Sequence, residues 1–226
     1  MIPGAGKLII LFLRWFFRLL YHNFAWTYDL VATAVSVGLW FDWIETSLPY
    51  LDGSPVLELG FGTGHLQEML FRQGIPIFGL DESPQMASIA RRRLSRQGSH
   101  FRLVRALAQQ LPYPTVKFER VVATFPSEFA IAPETLSEVH RVLTDGGKFI
   151  ILPYAWITAK SLPHRLARAL FRVTQEAPSR ETFSTGFSSE FEKRLVAAGF
   201  EASTEFIPTR QSEVMIIVSA KPPHSL

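Results

Sequence analysis

Among the 226 residues there is no cysteine, which excludes disulfides, thiol nucleophiles and cysteine-ligated zinc and removes any argument for an oxidising compartment. There is also no H-x-x-x-H pair and no carboxylate triplet, so no metal site is expected. Charge is sparse, at 19% of residues, against 47% apolar and 13% aromatic. That balance excludes disorder and coiled coil, and the length suits one α/β-sized domain with an extension. Acidic side chains are missing before Asp29, where Lys7, Arg14 and Arg18 are the only charges. The remaining 204 residues carry 20 basic and 20 acidic groups, so the net +3 belongs to the first 22. A pI near 9.3 would suggest nucleic acid if the excess were spread out. Confined to a segment of Leu, Ile, Phe and Trp, it points first to a membrane surface.

Residues 1–50 form a compositionally distinct arm holding 12 of the 29 aromatics and four of the five tryptophans. From Lys7 to Tyr21 the chain reads KLIILFLRWFFRLLY. At about 100° per residue the three basic side chains fall within roughly 40° of one another, on an otherwise apolar helix. At about 1.5 Å per residue this helix is shorter than the roughly 30 Å hydrocarbon core, and its longest uncharged run is only Leu8 to Leu13. A transmembrane span is therefore not expected. A secretory signal fits poorly as well, because Arg14 and Arg18 interrupt the apolar stretch. An in-plane interfacial helix over residues 7–22 meets the pattern, as does a lid packed on its own domain. Leu30 to Phe41 reads as a second, buried helix, continued by Asp42, Trp43 and Glu45 toward Pro49.

After the Asp52-Gly53-Ser54-Pro55 turn, Val56 to Leu59 predicts a short buried strand, Gly60-Phe61-Gly62-Thr63-Gly64 a glycine-rich turn, and His65 to Phe71 a helix ending near Gly74. Glycines let the backbone approach a ligand, and the helix N-terminus offers free N–H groups to it, so a nucleotide-like ligand belongs here. Ile75 to Leu80 is the next strand, and Asp81 closes it about where an acid accepts both hydroxyls of a ribose. A dinucleotide fingerprint wants its third glycine at position 65, which is His65. Glu58, at the end of a buried strand, is placed to accept from an ammonium group, which nicotinamide cofactors lack.

These residues resemble motif I, E-x-G-x-G-x-G, of the class I S-adenosylmethionine-dependent methyltransferases of the methyltransferase domain 11/25 type. The resemblance implies that Glu58, Gly60, Gly62 and Gly64 cradle the methionine part of S-adenosylmethionine and that Asp81, with Glu82 beside it, binds the ribose. Ala106 to Pro112 stands where the family reads G-D-A-x-x-L-P, with Leu107 in place of the acid, leaving adenine to the backbone at Ala108 and Gln109. Phe118 to Thr124 is similar to the F-D-x-V strand, and Thr124 joins the site. Ser137 to Lys148 resembles the E-x-x-R-V-L-x-P-G-G helix and turn, with Gly146 and Gly147 turning into a fifth strand, Phe149 to Leu152. Ser189 to Ala198 reads as a helix capped by Gly199, and Glu201 to Ile207 with Val214 to Ala220 as a terminal hairpin.

The implied fold is α/β: a doubly wound, Rossmann-like, mostly parallel seven-stranded sheet with a C-terminal antiparallel hairpin, helices on both faces and an N-terminal helical extension. The methyltransferase domain is expected over 51–222, with 154–187 an insertion covering the acceptor site. Trp26 to Asp29 and Ser36 to Trp40 resemble, more weakly, stretches of ubiquinone/menaquinone C-methyltransferases and bacterial phosphatidylethanolamine N-methyltransferases; by that likeness Tyr28 closes over the cofactor.

Six arginines, Arg91, Arg92, Arg93, Arg96, Arg102 and Arg105, run without an intervening acid. They read either as an RNA-binding face or as a solvated helix end favoured by the macrodipole. Thr124-Phe125-Pro126-Ser127 lacks the Asn/Asp-Pro-Pro-aromatic clamp of amino-group base methylation, so nucleic acid is not the expected partner. The insertion carries a second helix with basic and apolar faces, Leu162 to Val173. His65, His140 and His164 qualify as bases by residue type alone, and no catalytic residue is assigned. The expected function is methyl transfer to a small lipophilic or membrane-associated acceptor, in the cytoplasm or on the inner face of the membrane. The alternative is a non-catalytic cofactor-binding or membrane-docking module of the same fold.

Overall fold

The computed structural model describes residues 36, 38–96, 101–159 and 188–223. The basic arm 7–22, Tyr28 and the expected helix over 162–173 lie outside the described residues. Eight strands and five α-helices alternate along the described chain: α1 Trp40–Glu45, β1 Val56–Leu59, α2 His65–Arg72, β2 Ile77–Asp81, α3 Pro84–Ser95, β3 Arg102–Arg105, β4 Phe118–Thr124, α4 Pro133–Val142, β5 Leu143–Leu152, β6 Ala155–Ile157, α5 Ser188–Ala197, β7 Glu201–Pro208 and β8 Ser212–Ala220.

One sheet contains all eight strands. β3, β2, β1, β4 and β5 are parallel neighbours in that order, and β8 joins antiparallel to β5. Residues 217–220 of β8 pair with β5 and with β7, and residues 213–214 pair with β6 and with β7. A strand has two edges, so β5 and β6 share one edge of β8 and β7 takes the other. The sheet is thus the expected seven strands, with β6 as an eighth that prolongs the line of β5.

Alternation along the central strands splits the core in two. Leu57, Val121, Phe149, Ile151, Met215 and Ile217 face one layer, together with Leu136 and Val139 of α4 and Phe191 and Leu195 of α5. Val56, Val122, Ile150, Leu152, Val214 and Ile216 face the other, against Trp43 of α1 and Leu66 and Leu70 of α2. Each such aliphatic side chain contributes about 1.5–3 kcal/mol by leaving water, which is why near-continuous apolar runs make the inner strands. On the second face the Trp43 indole donates to Ser212 Oγ at 2.7 Å, both groups buried, fastening α1 to the start of β8.

One expected turn is different. The fifth strand starts at Leu143, directly after α4, rather than at Phe149. Gly146 and Gly147 lie within it at a register shift opposite Phe118 and Arg120, with Gly146 at φ +73°. The bulge is held by Gly146 N–H donating to the Lys221 carbonyl, by Lys221 N–H donating to the Gly147 carbonyl, and by the buried Lys221 ammonium on the Leu143 carbonyl at 2.9 Å. These glycines therefore bend a strand instead of ending a helix.

Candidate active site

β1 is flanked by β2 on one side and β4 on the other, so the loop leaving its carboxyl end emerges where the strand order reverses, the crevice in which doubly wound sheets bind ligands. A cavity of about 510 Å³ opens there. Its floor is the glycine turn. Gly60 and Gly62 have φ of +71° and +52°, left-handed values that a side chain disfavours, and both line the cavity. A Cβ on Gly62 would meet nothing within 4 Å, so the glycine leaves its backbone open to whatever fills the space.

Gly64 does not line the cavity; it caps α2 at φ +83°, and a Cβ there would stand 3.0 Å from Ala90 Cβ. Its role is to let α2 and α3 close up behind the turn. Arg93 reinforces this by donating to the Thr63 carbonyl at 3.1 Å, and Arg105 donates to the Glu82 carbonyl at 3.0 Å. Arg102 stacks over the Phe78 ring. Half of the arginine run therefore makes contacts within this domain, although only Arg93 is half-buried and the other five stay exposed.

Glu58 is 2% exposed, lines the cavity, and sits in register between Gly79 of β2 and Val122 of β4. Its one hydrogen bond is from Gln67 Nε2 at 2.7 Å, and no cation lies against it among the described residues. Burial consequently pushes its carboxyl up to about 8, the Gln67 bond opposing and the Asp81 charge adding to the rise. Gly79 makes room for this pair: a Cβ there would fall 2.9 Å from Gln67 Nε2 and 2.7 Å from Leu103. A buried carboxylate with one neutral donor lacks a cationic partner, and an ammonium group entering the cavity would supply it.

Asp81, also buried, accepts from Gly62 N–H and from Ser83 N–H, each at 2.8 Å, so it ties the turn after β1 to the end of β2. Burial raises its carboxyl, and the two backbone donors partly reverse that. Ser83, not Asp81, caps α3 by accepting from Met86 N–H, which leaves Asp81 facing the cavity.

Glu82, Ala108, Gln109 and Thr124 also line the space, as does Leu107, 53% exposed. The loop bearing Leu107, Ala108 and Gln109 is clamped from α4. Glu138 accepts from Leu111 N–H at 2.7 Å, and Arg141, paired with Glu138, donates to the carbonyls of Tyr113 and Leu111. The E-x-x-R pattern thus positions the loop without touching the cavity. Of the three histidines, His65 lines the cavity, His140 lies against Phe200, and His164 is outside the described residues.

The opposite wall joins the end of the N-terminal arm to the loop after β4. Trp40 and Ile44 of α1, with Phe125, Pro126, Ser127 and Phe129 after β4, close the cavity on the side away from Asp81. Phe125 is legible only in structure, because its φ of +47° is a conformation non-glycine residues rarely adopt.

Residues 56–147 match the family model described as a methyltransferase domain. Over that stretch the chain is similar to class I S-adenosylmethionine-dependent methyltransferases. The domain is similar to a demethylmenaquinone methyltransferase of Thermus thermophilus, 34% identical over 133 residues, covering 56% of this chain and 60% of that protein. A ubiquinone/menaquinone biosynthesis C-methyltransferase UbiE of Blochmanniella floridana is 30% identical over 152 residues, 63% of this chain and 59% of that one. The chain thus spans about three fifths of the length of these curated relatives. The methyltransferase fold superposes on a methyltransferase of Aquifex aeolicus with a TM-score of 0.56 at 16% identity, covering 79% of this chain and 89% of that one. It also superposes on the [4+2]-cyclase SpnF, TM-score 0.57 at 19% identity, covering 81% and 80%. The fold alone therefore does not select methyl transfer. The lining fits the cofactor: no cation lies against Glu58 among the described residues, the backbone at Gly62 is open, and Asp81 faces the cavity.

Proposed function

We propose that this protein transfers a methyl group from S-adenosylmethionine to a small lipophilic acceptor, with the hydroquinone ring of a demethylmenaquinone-type molecule as its leading example. The observation that carries the reading is the uncompensated buried Glu58 facing a cavity whose other wall is aromatic. The cofactor, when bound, supplies a methyl group already activated on a sulfonium that leaves as a neutral sulfide. The protein's work is then to hold, align and exclude water. Glu58 would take the ammonium, the Gly60–Gly62 backbone the neighbouring methionine part, and Asp81 the ribose hydroxyls; Glu82, Ala108, Gln109 and Leu107 would bound the base, and Thr124 the reacting end. His65 is the imidazole facing the cavity among the described residues. The names of the curated relatives support a quinone-class acceptor.

Peripheral membrane contact through residues 7–22 belongs to the same reading, supported by their basic and apolar pattern. No helix among the described residues is long and apolar enough to cross a membrane. The test is methyl transfer from labelled S-adenosylmethionine to demethylmenaquinol in vesicles. Label in the extracted lipid is expected, and cofactor binding without transfer to any lipid acceptor would favour the non-catalytic module. Vesicle co-sedimentation with and without residues 1–22 addresses the arm, loss of pelleting on deletion being the expected result.

A further inference from the structure

Glu58 is held by a residue that does not itself line the cavity. Gln67, on the first turn of α2, is fully buried, and its Nε2 lies 2.7 Å from Glu58 Oε2 and 3.3 Å from the Phe78 carbonyl of β2. A backbone carbonyl only accepts, so the atom between these two oxygens has to be the amide nitrogen. Turning the amide over would set its own oxygen against the carbonyl. Glu58 Oε2 is therefore always addressed as an acceptor. The other carboxyl oxygen, Oε1, is the one left to the cavity that Glu58 lines.

The rest of the amide shows what it is kept for. Gln67 Oε1 is buried with no hydrogen-bond partner among the described residues, an arrangement that weakens a fold. A methionine or leucine would occupy the same space without an orphaned acceptor, so packing alone does not account for an amide here. What the amide adds is a neutral donor aimed at Glu58. A lysine or arginine in its place would satisfy the carboxylate from within and leave nothing for a ligand, whereas an amide steadies it without cancelling its charge. Among the described residues, Asp81 and Glu82 at the end of β2 and His65 on α2 share the cavity with Glu58, and the Asp81 charge opposes its ionisation.

Resting on the reading that an ammonium-bearing cofactor binds here, we infer that Gln67 is a positioning residue: locked as a donor by the Phe78 carbonyl, it holds Glu58 Oε2 as a fixed acceptor, so that Oε1 is the oxygen that gives up its proton and takes the ligand's ammonium. The exchange balances, because the neutral carboxyl releases one proton to solvent and the ammonium takes its place with its own charge intact. Gln67 acts only through Glu58.

The test is Gln67→Met in the full chain, with Gln67→Leu alongside should the first fail to fold. Two quantities are followed from about pH 6 to about pH 10. One is the infrared carboxylic-acid band of the ligand-free protein, assigned to Glu58 by its loss in Glu58→Gln; the other is calorimetric affinity for S-adenosylhomocysteine. Without the amide donor the band should persist to higher pH, its midpoint moving up by about one unit. Affinity at pH 7 should fall by about tenfold, and the gap from wild type should close toward pH 10, where Glu58 is ionised in both proteins. A side chain kept for packing would instead lower the melting temperature equally at every pH and leave the midpoint in place. That result, or unchanged affinity at pH 7 in a folded variant, overturns the positioning role. Wild type that binds S-adenosylhomocysteine while the midpoint stays put in the variant overturns it too and leaves the cofactor reading standing. A midpoint that moves in a protein that binds no S-adenosylhomocysteine leaves the Gln67 lock on Glu58 standing and sinks the cofactor reading.

Discussion

The two sides of the cavity solve opposite problems. On the Asp81 side, Asp81 is tied to two backbone N–H groups, and burial holds Glu58 toward its protonated form until a cation arrives. On the Trp40 side, rings pack on rings and the only cost is backbone strain at Phe125. The lesson is that one side reads charge and the other reads shape, so substitutions should divide cleanly between cofactor and acceptor.

The sharpest way to break that division is Glu58→Ala. Losing a buried partner for an ammonium should weaken S-adenosylhomocysteine binding by about 100-fold, on the order of 2–5 kcal/mol, with demethylmenaquinol binding far less affected. Asp81→Ala should follow, at about 10- to 100-fold, measured by the same calorimetry; an unchanged affinity would remove Asp81 from the site.

Glu58 also makes the comparison depend on pH. Its folded carboxyl is raised to about 8 from an ordinary 4.5, so the stability tied to its protonated form is full below 4.5 and is lost as pH rises through 8. The ligand-free melting temperature should therefore fall between pH 5 and 9, and Glu58→Gln should flatten the fall. Binding an ammonium ligand at pH 7 should release a proton, visible as a buffer-dependent calorimetric enthalpy, and a buffer-independent enthalpy would place the proton elsewhere. Smaller still is Arg141→Ala. It frees two loop carbonyls and Glu138, and should cost about 1–2 kcal/mol of stability by denaturant titration. Cofactor affinity should drop only severalfold, through the loop at 106–111.

The charge-reading side was legible in the sequence because it is built locally. Glu58, Gly60 and Gly62 span five residues, and Asp81 follows one strand later, so spacing carries the geometry. Four of the five parallel strands and the terminal hairpin were legible for the same reason, their apolar runs being short and bounded by turns; β3 was not, because Arg102 and Arg105 at its ends read as part of a basic run. The shape-reading side was not. It joins α1 to the β4 loop, residues separated by more than eighty positions, and depends on Phe125 adopting a backbone conformation that no residue-type preference announces. The Gly146 bulge escaped similarly: paired glycines read as a turn until Lys221, far along the chain, supplies the partners that keep them in a strand.

β8 is the last strand among the described residues, yet it lies inside the sheet, between β5 and β7. While the chain is being synthesised, β5 must wait with one edge bare, and Trp43 has no Ser212 to hold it. The cavity's aromatic wall can therefore take its final shape only once the far end of the domain has left the ribosome. Until then an apolar strand edge stands open to the wrong partner, and this interval is where chaperones or aggregation would act on the nascent protein.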